Sequence, residues 1–203
     1  PVQTYRAVMK KLDAYSPLGY SCAGEVVEVT ADVKKLSKQV AAHIISANAE
    51  WILFWDYSLG APDMALLEKL AAKPVDIFHA GLRLGTRGLP DVLNYVHPTW
   101  MYNIDGDENI THTNFRLSFR ACMIRVEVLK RIDKFYDAYT SIEMAGVALG
   151  YNILKQGGII RYHAELVKQA SIEPAHIPLK DEWTFAKQFF TKKWLFWTLL
   201  NKE

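Results

Sequence analysis

Trp51-Ile52-Leu53-Phe54-Trp55 is an unbroken apolar run, closed by Glu50 on one side and Asp56 on the other. The run is too short for a typical helix and does not alternate between apolar and polar residues. A run of this kind predicts a strand covered on both faces, the pattern of a parallel sheet. Asp56 then stands where the strand ends, and in open α/β sheets ligand crevices form at that end.

Working outward, positions 33–48 carry Leu36, Val40, Ile44 and Ala47 at helical spacing, and Glu25 to Val29 is short and β-branched, which predicts a strand. Thr4 to Ala14 returns to a helical period and stops at Ser16-Pro17-Leu18-Gly19. On the other side, Pro62 to Ala72 predicts a helix with Pro62 in its first turn, followed by a strand at Val75 to His79. Gly81 to Asn114, rich in Gly, Pro, Asn and Asp, reads as a long irregular excursion of the kind that carries function or disorder. Phe115 to Arg125 predicts a strand or edge region, and Val126 to Ile132 a short helix. Ser141 to Gln156 predicts a helix stopped by Gly157-Gly158, with a last strand at Ile159 to Tyr162. Strands alternating with helices predict an α/β layer architecture with a mainly parallel sheet over 1–180.

The remainder, 181–203, predicts an aromatic helix dotted with Lys. Its Trp and Lys content suits either packing on the sheet or a neighbouring domain, or peripheral contact with a membrane through 183–200.

Composition narrows the function classes. Half of the 203 residues are apolar and the net charge is only +2, which excludes a wholly disordered chain and gives no strong field for nucleic acid. No apolar run reaches the roughly 20 residues of a membrane span. Cys22 and Cys122 are the only cysteines, so there is no disulfide framework and no cysteine-based zinc site. A soluble protein of a reducing compartment is expected. The chain opens at Pro1 without an initiator Met, so the true N-terminus is expected to be missing.

Four segments in order carry a family resemblance. Ala47 to Asp56 followed by Pro62, then Phe115 to Arg125, then Val128 to Tyr136, then Ala145 to Gly158, together resemble a family 2 glycosyltransferase of GT-A fold. The resemblance spans about Glu25 to Val167. It implies a Rossmann-like three-layer sandwich and transfer of a sugar from a nucleotide-sugar donor to a glycan acceptor, in a bacterial-type, cytoplasmic setting at the inner face of the membrane. It further implies that Thr30 and Asp32 line the nucleotide pocket, that Asp56 and Ser58 serve the donor, and that Asp56 holds Mg²⁺ or Mn²⁺. Glu143 is implied as the base that deprotonates the acceptor.

The pattern is incomplete. Asp56-Tyr57-Ser58 keeps one carboxylate where two are typical, and Ala145-Gly146 occupies the place of an acidic pair. Each candidate also has an ordinary structural explanation. Asp32 suits the N-cap of the helix that follows, Asp56 suits a polar strand end, and Glu143 suits the first turn of a helix. A GT-A-like domain without catalysis, binding a glycan or supporting a neighbour, is the competing reading. Two further motifs are weaker. The Asp105 to Asn109 stretch lacks the Gly and Glu of a calcium loop, and Gly81 to Gly88 offers glycines and two Arg to a phosphate without the Lys-Ser/Thr of a P-loop.

Overall fold

The computed structural model describes residues 49–87, 106–132, 138–168 and 175–201. The expected elements at 4–14, 25–29 and 33–48 lie outside these residues, as do Thr30, Asp32 and the middle of the long excursion.

Strand β1 is Trp51–Trp55, and a 3-10 turn at Tyr57–Leu59 follows it. Helix α1, Met64–Ala71, starts after Asp63, whose carboxylate accepts the Leu66 N–H. Pro62 therefore precedes the cap instead of occupying the first turn, because the Asp side chain satisfies an orphan N–H that a proline ring cannot. Strand β2, Ile77–His79, leads to a second 3-10 turn at Gly81–Leu84. Strand β3, Ala121–Arg125, runs directly into α2, Val126–Arg131. Helix α3, Ile142–Lys155, is capped by Ser141 and followed by Gly157 at φ 85°, the left-handed position that glycine takes without strain. Strand β4 is Ile160–Tyr162.

The four strands form one mixed sheet in the order β1-β3-β2-β4. β3 is antiparallel to both β1 and β2, whereas β2 and β4 are parallel. The expected mainly parallel pairing is thus not what the described strands form: two of their three pairings are antiparallel. Direction tells more than pairing does. β1, β2 and β4 all run the same way, and β3 is the one reversed strand between them. The C-terminal ends of three strands therefore meet at one edge of the sheet, together with the start of β3.

Both faces of the sheet are covered. Ile52, Phe54, Ile77, Cys122, Ile124 and Ile160 point into a core completed by α3, with Val147, Ala148 and Leu149 fully buried. Phe78, Ala121 and Met123 face the other way, onto Leu67 and Leu70 of α1, with Trp51, Leu53 and Trp55 packed at the margin. Helices thus lie on both sides of the sheet. The apolar run of β1 has no polar face because each face meets a core. α3 comes very close to the segment before β3, and its two glycines permit this. A Cβ at Gly146 would stand 2.7 Å from the Leu117 carbonyl oxygen, and one at Gly150 would overlap the Phe115 carbonyl.

The aromatic tail is two helices, not one. Helix α4 is Leu179–Phe189 and helix α5 is Lys192–Asn201, with Phe190 extended between them. α4 belongs to the core. Phe185 is buried, and its ring lies 5.4 Å from that of Tyr151 and 4.7 Å from that of Phe189. Burying one such side chain contributes on the order of 2–3 kcal/mol. Asp181, wholly buried, joins α4 to the start of α3. Its carboxylate accepts the Thr140 N–H, the Thr140 hydroxyl at 2.9 Å and the Ser141 N–H at 2.7 Å.

Candidate active site

The edge where β1, β2 and β4 end is the candidate site. Asp56 stands at one end of it, after β1, the outer strand in the described sheet order. The register that sets Trp55 opposite Ala121 continues one step further, and Asp56 N–H donates to the Arg120 carbonyl at 2.7 Å. Asp56 and Arg120 are therefore cross-strand neighbours, the position in which opposite charges support an antiparallel pair. Arg120 Nε–H donates to Asp56 Oδ2 at 2.8 Å, and Ser58 N–H donates to Oδ1 at 2.9 Å. Asp56 is thus at once a turn cap and one half of an ion pair.

Burial is the largest influence on this carboxyl and pushes its pKa up. The hydroxyl and N–H of Ser58, and the hydrogen bond and charge of Arg120, act together in the opposite direction and hold it below the usual carboxylate value. Asp56 is ionised at neutral pH. Two hydrogen bonds close the turn beside it: Trp55 Nε1–H donates to the Gly60 carbonyl at 2.7 Å and Gly60 N–H to the Tyr57 carbonyl. On this turn Tyr57 holds its ring out to solvent.

The ends of β2 and β4 contribute two histidines. His79 is fully buried, and burial brings its pKa down to about 4 against the opposing bond to Asn114. The ring is neutral. It accepts the Gly81 N–H at Nδ1, so Nε2 carries the proton and donates to the Asn114 carbonyl at 2.8 Å. His163, after β4, is also held below the ordinary value, by burial first and by Lys73 second. Its N–H donates to the His79 carbonyl, and its Nδ1 is buried and finds no hydrogen-bond partner among the described residues.

The sequence candidates are only partly brought together. Asp56 and Ser58 share one turn. Glu143 lies in the first turn of α3, where its carboxylate accepts the Ser141 hydroxyl at 3.1 Å. Among the described residues no hydrogen bond joins Glu143 to Asp56. Ala145 and Gly146, at the place of the acidic pair, are buried. The described part of the glycine stretch, 81–87, does not present itself as a phosphate cradle. Gly81 is pressed against the Arg116 backbone, and the Arg83 guanidinium is spent on the carbonyls of Val167 and Lys168 and on Asn109.

The expected divalent cation fits poorly. Among the described residues no three His, Cys, Asp or Glu side chains group as metal ligands. Asp56 stands alone and already carries a guanidinium on Oδ2, and a fixed positive charge there opposes a second cation. An Arg beside a strand end suits a phosphate oxygen better. Arg120 is the residue that sequence reading missed. The antiparallel register that pairs Trp51 with Arg125 sets Asp56 against Arg120, and neither segment by itself carries that register.

A cavity of about 310 Å³ lies at the opposite end of β1, lined by Ala49, Glu50, Arg125, Val126, Glu127 and Lys130. Arg125 dominates it, with its guanidinium 4.3 Å from the Trp51 ring and paired with Glu50. Comparison with protein-family models, curated proteins and solved structures finds no match for this chain.

Proposed function

We propose that this chain is a GT-A-like domain, similar to family 2 glycosyltransferases, that binds a nucleotide-activated sugar at the strand-end rim and passes the sugar to a glycan acceptor. The observation that carries the reading is the Asp56–Arg120 pair, an ion pair of fixed geometry at the edge where three co-directional strands end. Ligands of layered α/β sheets sit at such edges. In this reading Arg120 faces the diphosphate and offsets the charge that develops as the sugar leaves, while Asp56 holds the guanidinium in place. Ser58 serves the donor indirectly, through its N–H and hydroxyl on the Asp56 carboxylate. Glu143 takes the acceptor's proton, for which its carboxylate must come within about 3 Å of the attacking oxygen. Any Mg²⁺ or Mn²⁺ enters this reading with the diphosphate, as its counter-ion. The same reading gives the protein a cytoplasmic location.

A second reading rests on Gly146. The acidic pair of the family has no counterpart there, and the close Leu117 carbonyl leaves no room for a side chain. This favours a domain that binds the sugar nucleotide or a glycan without turning it over.

Thermal unfolding of the protein with UDP-sugars and GDP-sugars, each with and without Mn²⁺, tests binding. A ligand held by the native state alone raises the melting temperature. A shift with one donor, lost in Arg120→Ala and in Asp56→Ala, supports the proposal. No shift with any donor rejects it. Hydrolysis or transfer of the bound sugar that Glu143→Gln abolishes selects the catalytic reading, and binding without turnover selects the second.

A further inference from the structure

We propose that α5 rests on an anionic lipid surface, with Lys192, Lys193, Phe196 and Leu200 as the contact. Residues 183–200 contain Lys187, Lys192 and Lys193 and no Asp or Glu. Along α5, Lys192, Phe196 and Leu200 recur every four residues, and Lys193 stands beside them. Positions so spaced share one side of a helix. That side faces solvent: Phe196 is 62% and Leu200 60% exposed, and both lysines are exposed. Trp194 and Leu195, on the other side, are half-buried. Two large apolar side chains thus stand exposed on the turns that follow two adjacent ammonium groups. Phe and Leu enter the acyl boundary, and Lys stems run along the apolar surface to bring their charge to phosphate level.

Charge decides among the occupants. A second copy of the chain would bring the same lysines against each other, with no acid in 183–200 to neutralise them. An anionic headgroup layer supplies the missing negative charge. Length decides the mode. The ten residues of α5 extend about 15 Å, half of a hydrocarbon core of about 30 Å, so the helix lies on the surface and does not cross it. α4, fixed in the core by Phe185 and Asp181, holds the start of α5 in place.

Sedimentation of the full chain with sucrose-loaded vesicles tests this, using phosphatidylcholine alone and phosphatidylcholine with about a third phosphatidylglycerol. Binding is expected to the anionic vesicles only, falling as NaCl rises from 0.1 to 0.5 M. Lys192→Glu with Lys193→Glu should weaken partitioning by more than about tenfold. Phe196→Ala with Leu200→Ala should weaken it by about tenfold as well, with an unchanged far-UV spectrum because all four side chains are exposed. Failure to sediment with anionic vesicles overturns the proposal, and so does equal binding to neutral ones. A concentration-dependent dimer that Phe196→Ala with Leu200→Ala dissociates overturns it too, in favour of a second copy.

Discussion

Replacing Asp181 by Ala removes the acceptor on which the start of α3 depends. The Thr140 N–H, the Thr140 hydroxyl and the Ser141 N–H all end on this carboxylate. Asp181 also lies in the first turn of α4, so one buried negative charge serves the N-terminal ends of two helices. Each donor left without a partner costs about 1–3 kcal/mol. Thr140 is exposed and Ser141 half-buried, so water reaches these donors and the low end of that range applies. Three donors at about 1 kcal/mol each give a loss of roughly 3 kcal/mol. Against a total of about 5–15 kcal/mol for a domain, that is a large fraction. Urea unfolding followed by circular dichroism reads it directly. With a slope of about 2 kcal/mol per molar urea, the midpoint falls by roughly 1.5 M. Asp181→Asn keeps one acceptor oxygen and should lose about half as much. Lys180→Ala, one residue away and exposed, should stay within about 0.5 kcal/mol of the parent. If Asp181→Ala costs no more than Lys180→Ala, the tail is not joined to α3 through this carboxylate, and the account of α4 as part of the core is wrong.

Two further outcomes follow from the packing. His79 is neutral when folded, with its pKa at about 4, while the unfolded chain takes up a proton near 6.5. The unfolded state thus binds more protons as pH falls from 6.5 towards 4, and stability present above that window is lost through it. From pH 7.5 to 5 this one ring should cost about 2 kcal/mol, and His163 adds in the same direction. His79→Gln is expected to be less stable at pH 7.5 but to show a flatter pH dependence of its urea midpoint; an unchanged slope would refute the assignment. Gly150→Ala gains about 1 kcal/mol of helix propensity but forces a methyl onto the Phe115 carbonyl, so a net loss of about 2 kcal/mol is expected in the same assay, and a gain would mean that α3 and the 115–118 segment can separate freely.

Much of the scaffold was legible along the chain. Trp51–Trp55, Ile142–Lys155 and Val126–Arg131 form close to where the pattern puts them, because a closed apolar run, a Ser141 cap and a glycine after the last turn act within a few residues of each other. The candidate site was legible only as far as Asp56 and Ser58, whose hydrogen bond spans two positions. Its arginine was not, because Arg120 lies 64 positions from Asp56, and nothing in the composition of either segment fixes which strand will lie beside which.

Sequence alone placed β1, α2 and α3 and required that both faces of β1 be covered, since propensity, capping and apolar periodicity are local properties of the chain. Tertiary structure decided the reversal of β3, the Asp56–Arg120 pair, the burial of His79 and the anchoring of α4 by Asp181. Each of these depends on register and on contact between distant segments, where a shift of one residue turns every side chain to the opposite face.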